Sequence, residues 1–233
     1  MQLVEVSEIG VRAAIVRLVS PNAKLVWLMF PMIHLGEREY YAEVERRMAD
    51  CDLVLAEGID SRIVSALTAS YRNMAGLRDA VVQPDPISTS SAEVVNADIS
   101  GAEFDEAWKQ MPFAMRMAVP LLSPLYGLWV RYTASPESWH RNLETSDLPD
   151  DLDLELQVRL PHFFDLIFGR RDRHLFEQIE VVQGKWSGED RVVGVAWGAG
   201  HIGAVVHHLS SRWGYFGQSA DWITVFDYTR ERR

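Results

Sequence analysis

Cysteine is almost missing from this sequence: Cys51 is the single one. No internal disulfide and no paired-cysteine metal or redox motif can form. Basic residues are also scarce, 23 against 33 acidic, for a net charge of -10. That balance argues against nucleic acid or an anionic membrane as a partner. Residues 1–10 carry two Glu and no basic stretch, so no secretory leader is read there. The longest mainly apolar stretch, Met117 to Val130, contains Pro120 and Pro124. It falls short of the roughly 18–20 residues that a membrane span needs. These absences predict a reduced, cytoplasmic protein without a membrane anchor.

What is present describes a globular chain. Hydrophobic residues make up 48% and charged residues 24%, which excludes disorder and fibre. At roughly 100–200 residues per domain, residues 1–233 read as one domain. Eight Trp are unusual. Trp108, Trp129, Trp139 and Trp186 fall in helical segments, where core and pocket roles look alike.

Apolar runs at Val11–Ser20 and Leu25–Phe30, split by Pro21-Asn22, predict two strands and a turn. Tyr41, Val44 and Met48 predict a helix over Glu37–Ala49. Asp52–Ala56 reads as a short buried strand. Ile63, Leu67, Tyr71 and Met74 mark one helix face, and Glu93–Ala97 another strand. Ser100 with Glu103 makes a capping box, and Pro112 ends that helix. Residues 113–190 read as a helical insertion broken by Pro120, Pro124 and Pro136, with a mobile acidic loop over Ser135–Asp153. Val192–Trp197, Ile202–Arg212 and Trp222–Phe226 predict strand, helix and strand. The expected fold is α/β: a mixed, mostly parallel sheet flanked by helices, with the insertion lying over the site at one sheet edge.

Three polar residues directly follow predicted strands: His34, Glu57 and His201. Ligands of open parallel sheets bind beyond the carboxyl ends of the strands. Two His and one Glu suit a divalent metal with a position open for water. Alone, each has a plainer reading, as a hydrogen-bonding His or as a helix-capping Glu. His208 shares a helix face with His201 and could support it. Arg62 stands in the first turn of a helix, where a cation needs a reason: an ion pair with Glu57 or Asp60, or an anionic ligand. Arg170, Arg171 and Arg173 crowd around Asp172, as a site or as a solvated basic face. Gly198-Ala-Gly-His-Ile-Gly203, with Asp227 further on, also fits a dinucleotide turn. Only 30 residues follow Gly203, too few for a nucleotide-binding half.

The segments Phe30-Pro-Met-Ile-His34, Leu53-Val-Leu-Ala-Glu57 with Arg62, and Val193-Gly-Val-Ala-Trp-Gly-Ala-Gly-His201 together resemble the TraB/PrgY/GumN family. Its metazoan TIKI relatives and the erythromycin-esterase-like and ChaN-like proteins belong with it. Asn96-Ala-Asp98-Ile and Arg171-Asp172 are weaker matches, and Pro31 stands where the family has Gly. The resemblance implies a hydrolase, peptidase-like, with His34, Glu57 and His201 as catalytic residues and ligands of Mn, Co or Zn. Arg62, Asp98 and Arg171 would bind a peptide or small-molecule substrate. The same pocket without turnover would instead make a protein that sequesters a peptide or small anion. A third variant keeps a His/Glu acid–base pair without any ion.

Overall fold

The structure is a computed structural model and describes residues 1–74, 80–84, 91–133, 144–148 and 151–229. The chain opens with three antiparallel strands: β1 (Gln2–Ser7), β2 (Gly10–Ser20) and β3 (Ala23–Met32). The short β4 (Leu35–Gly36) and α1 (Arg38–Met48) follow, then β5 (Leu53–Ala56), α2 (Arg62–Leu67) and α3 (Ala69–Met74). Next come β6 (Val81–Val82), β7 (Glu93–Asn96), α4 (Gly101–Lys109) and α5 (Phe113–Thr133). The edge strand β8 (Thr145–Ser146), α6 (Asp151–Arg159) and α7 (Pro161–Phe164) lead to a π-helical turn, Asp165–Gly169. The fold closes with α8 (Arg170–Trp186), β9 (Val192–Gly198), α9 (Ala199–Trp213) and β10 (Phe216–Asp227).

The main sheet runs β7-β5-β9-β3-β2-β1-β8, with β10 also paired to β2. β7, β5, β9 and β3 are mutually parallel; β1, β2, β8 and β10 add the antiparallel part. The expected α/β class with a mixed sheet is what the chain adopts. The parallel strands read as unbroken apolar runs because both faces are covered. β5 is buried at every residue. One face packs Val44, Met48 and Phe30 beneath α1; the other packs Trp27, Val195 and Trp197 beneath α8 and α9. Pro31 fits β3 because β2 pairs with β3 only as far as Met29. Beyond that point Pro31 keeps only its parallel neighbour, Trp197, an edge-like position that tolerates a missing N–H.

Several expectations need correction. Pro120 and Pro124 do not break α5, which runs through both for 21 residues. α5 is therefore long and apolar enough to cross a membrane by length and composition. The acidic loop predicted over Ser135–Asp153 contributes β8, paired with β1, and opens α6; residues 134–143, including Trp139, and 149–150 lie outside the described residues. Within 113–190, the last helix packs on the sheet. α8 is a core helix, with Leu175, Ile179 and Val182 in the sheet-facing cluster. Its apolar spacing alone did not separate a lid helix from a sheet-packed one. β1 went unread. The expected capping box at Ser100 and Glu103 is formed in both directions.

Ile179 tests the placement of α8, since its side chain is fully buried. Ile179→Ala should lower unfolding stability by about 2–5 kcal/mol, read by urea denaturation. A helix docked loosely as a lid would lose almost none.

Candidate functional site

Four adjacent parallel strands each deliver one polar residue at the carboxyl end. β7 leads into Asp98, β5 into Glu57, β9 into His201 in the first turn of α9, and β3 into His34. The registers Ala56↔Asn96, Ala56↔Ala196 and Met32↔Gly198 hold those ends level.

The centre of the cluster is Arg171, from the first turn of α8. Its Nη2 donates to Glu57 Oε1 and, at 2.7 Å, to Asp98 Oδ2; Nε donates to Asp98 Oδ1 at 3.1 Å. The Arg171 side chain is 9% exposed, that of Glu57 12% and that of Asp98 0%. The guanidinium also lies 5.3 Å from the Trp197 ring. Arg171 Nη1 makes only long bonds, 3.4 Å each, to the Ile167 carbonyl and His201 Nε2. The π-helical turn just before α8 changes the phase of the helix, a device common at functional sites. The step of about 100° per residue within α8 separates the arginine cluster. Arg170 and Arg173 pair with Asp165 on the exposed side, while Arg171 turns inward.

Glu57 accepts a second bond from the Gly198 backbone N–H at 2.6 Å. A side chain at Gly198 would stand 3.2 Å from that carboxylate oxygen, so the Gly-Ala-Gly turn lets β9 close on Glu57. Burial would raise the Glu57 carboxyl. The charges of Arg171, then His34 and His201, overcome it and hold the group down at about 2. Glu57 is thus held as an anion with both oxygens engaged.

The two imidazoles are each oriented through Nδ1. His201 Nδ1 donates to Asp172 Oδ1 at 2.6 Å. Since Arg171 donates toward His201 Nε2, that nitrogen carries the lone pair, which assigns the tautomer from the network. His34 Nδ1 lies 3.2 Å from Gln83 Oε1, which leaves Nε2 as its acceptor. His34 is half-buried and packs 5.1 Å from the Tyr71 ring. Phe168 and Trp197 flank His201 at 5.0 and 5.3 Å. The Trp197 Nε1–H is buried with no hydrogen-bond partner.

Glu57, Asp98, Arg171 and His201 are therefore joined in one hydrogen-bonded cluster, with His34 at the end of the adjoining strand. Asp98 cannot meet a substrate; it is fully buried and also accepts from the Gly58 and Ile99 backbone N–H groups. Arg62 is exposed at the start of α2 and outside the cluster, and the pairing expected between it and Glu57 is made by Arg171. Ser61, not Glu57, caps α2. His208 does not support His201: it stacks on Phe176 and against Trp213. β10 runs antiparallel to β2, so β9, α9 and β10 form no parallel crossover and the glycine motif is not a dinucleotide fold. Sequence reasoning missed Asp172 as the partner of His201, Gln83, and Tyr71, which it read as a core position.

A metal fits this arrangement poorly. The cation that neutralises Glu57 is a guanidinium, and His201 turns one nitrogen to Asp172 and the other to Arg171. Among the described residues no group of three His, Cys, Asp or Glu side chains is arranged to hold an ion. Comparisons with protein-family models, curated proteins and solved structures find no match.

Breaking a buried ion pair from one side is costly. Arg171→Met should cost about 3–5 kcal/mol near neutral pH. The wild-type Glu57 contribution is complete above its usual value of 4.5 and is lost as pH falls toward about 2. In Arg171→Met burial dominates and raises the Glu57 carboxyl above 4.5, so the cost is greatest near neutral pH and is relieved as pH falls toward 4.5, above the window in which the wild type loses stability. Denaturation midpoints at several pH values for both proteins check the sign.

Proposed function

We propose that the chain is a hydrolase of peptide or related acyl bonds, working by acid–base chemistry at His34 with His201 as its support. The observation that carries this reading is that His34 and His201 follow adjacent parallel strands and each has Nδ1 held by an acceptor. An imidazole held at Nδ1 keeps Nε2 for proton transfer or for accepting a hydrogen bond, as His201 Nε2 does from Arg171. The resemblance to the TraB/PrgY/GumN family adds a peptidase-like expectation, and its esterase-like relatives suit an acid–base site.

In this reading His34 Nε2 takes a proton from water attacking the scissile carbonyl and returns it to the leaving group. Arg171 Nη1, the corner of the guanidinium with only 3.4 Å bonds, tightens on the carbonyl oxygen as charge develops. His201 and Asp172 hold that corner in place. Charge decides the substrate class. Three carboxylates, Glu57, Asp98 and Asp172, stand against the single guanidinium of Arg171. A free anion is repelled from such a site, whereas a neutral amide or ester carbonyl is not. This weighs against sequestration of a small anion. A peptide bound without turnover remains the contrasting outcome.

A peptide library incubated with the purified chain tests the proposal. His34→Ala should slow hydrolysis by about 10²–10⁴-fold, and a chelator should leave the wild-type rate unchanged. Hydrolysis that survives His34→Ala, or tight binding with no cleavage, would overturn the acid–base reading. Loss of activity with chelator would replace it by a metal-dependent one.

A further inference from the structure

α5 presents an apolar face that the described residues leave exposed. Val119, Ser123, Gly127 and Val130 face inward. Val119 packs on the Ile63–Leu67 cluster, and Ser123 Oγ donates to the Leu67 carbonyl. A side chain at Gly127 would strike the Ser70 backbone at 2.5 Å, and Val130 is buried. The opposite face carries Met117, Leu121, Leu125, Leu128 and Tyr132 at steps of three and four, flanked by Leu122, Tyr126 and Trp129. These side chains are 40–80% exposed. With Phe113 they present on the order of 1,000 Å² of apolar surface, at roughly 100 Å² per half-exposed large side chain. A monomer rarely leaves a patch above a few hundred Å².

We infer that this face is the seam of a homodimer, in which α5 of one copy packs against α5 of the other. Four observations favour a second copy. The area equals the roughly 800 Å² per partner of a standard interface. The large residues recur seven apart, as Leu121 and Leu128, Leu122 and Trp129, Leu125 and Tyr132, so a twofold operation sets like ridges against like grooves. Arg116 and Arg131, the only charges in α5, lie on its flank toward the protein, so pairing buries no charge. The chain's net charge of -10 repels the other apolar surface available, an anionic bilayer. The close Gly127–Ser70 packing also keeps α5 on its own domain instead of free to span. The inference is independent of the hydrolase reading.

Sedimentation velocity on the intact chain at about 50 μM should give twice the 26.5 kDa mass. The double variant Leu121→Glu/Leu125→Glu replaces two outward-facing residues and should sediment as a folded monomer, with a dimer dissociation constant raised at least 100-fold. Leu125→Cys should form an intermolecular disulfide on mild oxidation, because the native Cys51 is buried. A wild-type monomer at that concentration would overturn the inference. So would a larger assembly unaffected by the double variant, or a monomer that partitions onto phosphatidylcholine/phosphatidylglycerol vesicles.

Discussion

The arrangement of this molecule depends on one buried guanidinium. Arg171 bridges Glu57 and Asp98, which follow neighbouring parallel strands, and so ties α8 to the carboxyl edge of the sheet. Burying a guanidinium and two carboxylates is unfavourable unless every partner is in place. Here the backbone supplies what the side chains do not. Gly198 N–H donates to Glu57, and Gly58 and Ile99 N–H donate to Asp98. The network therefore fixes the spacing of three strand ends and one helix as well as their charge.

That constraint divides the labour at the site. A carboxylate held at about 2 stays ionised near neutrality, and in the proposed reaction Glu57 acts by its field and its position. The proton is left to the imidazoles. They are unequal. His201 is locked between Asp172 and Arg171, whereas among the described residues His34 is held by Gln83 and the Tyr71 ring. In the proposed reaction the looser histidine carries the proton and the locked one supports the neighbouring donor.

Much of this was legible in the sequence because parallel strands announce themselves twice. Leu53–Ala56 and Val192–Trp197 are apolar throughout, and the chain must turn polar where each ends. Glu57 and His201 thus carried positional information without any distance being known. The rest depended on contacts across long separations. Nothing local to Arg62 or Arg171 says which one meets Glu57, since that is decided by the path of α8 and the π-helical turn before it. Tyr71 sits on an apolar stripe, so its approach to His34 was hidden in an ordinary core pattern. Pro120 and Pro124 misled in the other direction. A proline needs only a solvated or rearranged carbonyl one turn earlier to remain helical, and α5 is largely exposed on its outer side.

The same two-turn helix joins the site to the outer face. α3 carries Ser70, whose backbone receives Gly127 of α5, and next to it Tyr71, whose ring lies against His34. α2 buries none of its residues fully, whereas α3 buries Ser70 and Met74, so this layer rests partly on the core and partly on α5. Covering the outer face of α5 would stiffen the segment that presents Tyr71, while leaving the Arg171 network, anchored on the far strands, untouched. Rigidity at the site then has two separate sources: an electrostatic one that holds Glu57 and His201, and a packing one that holds His34.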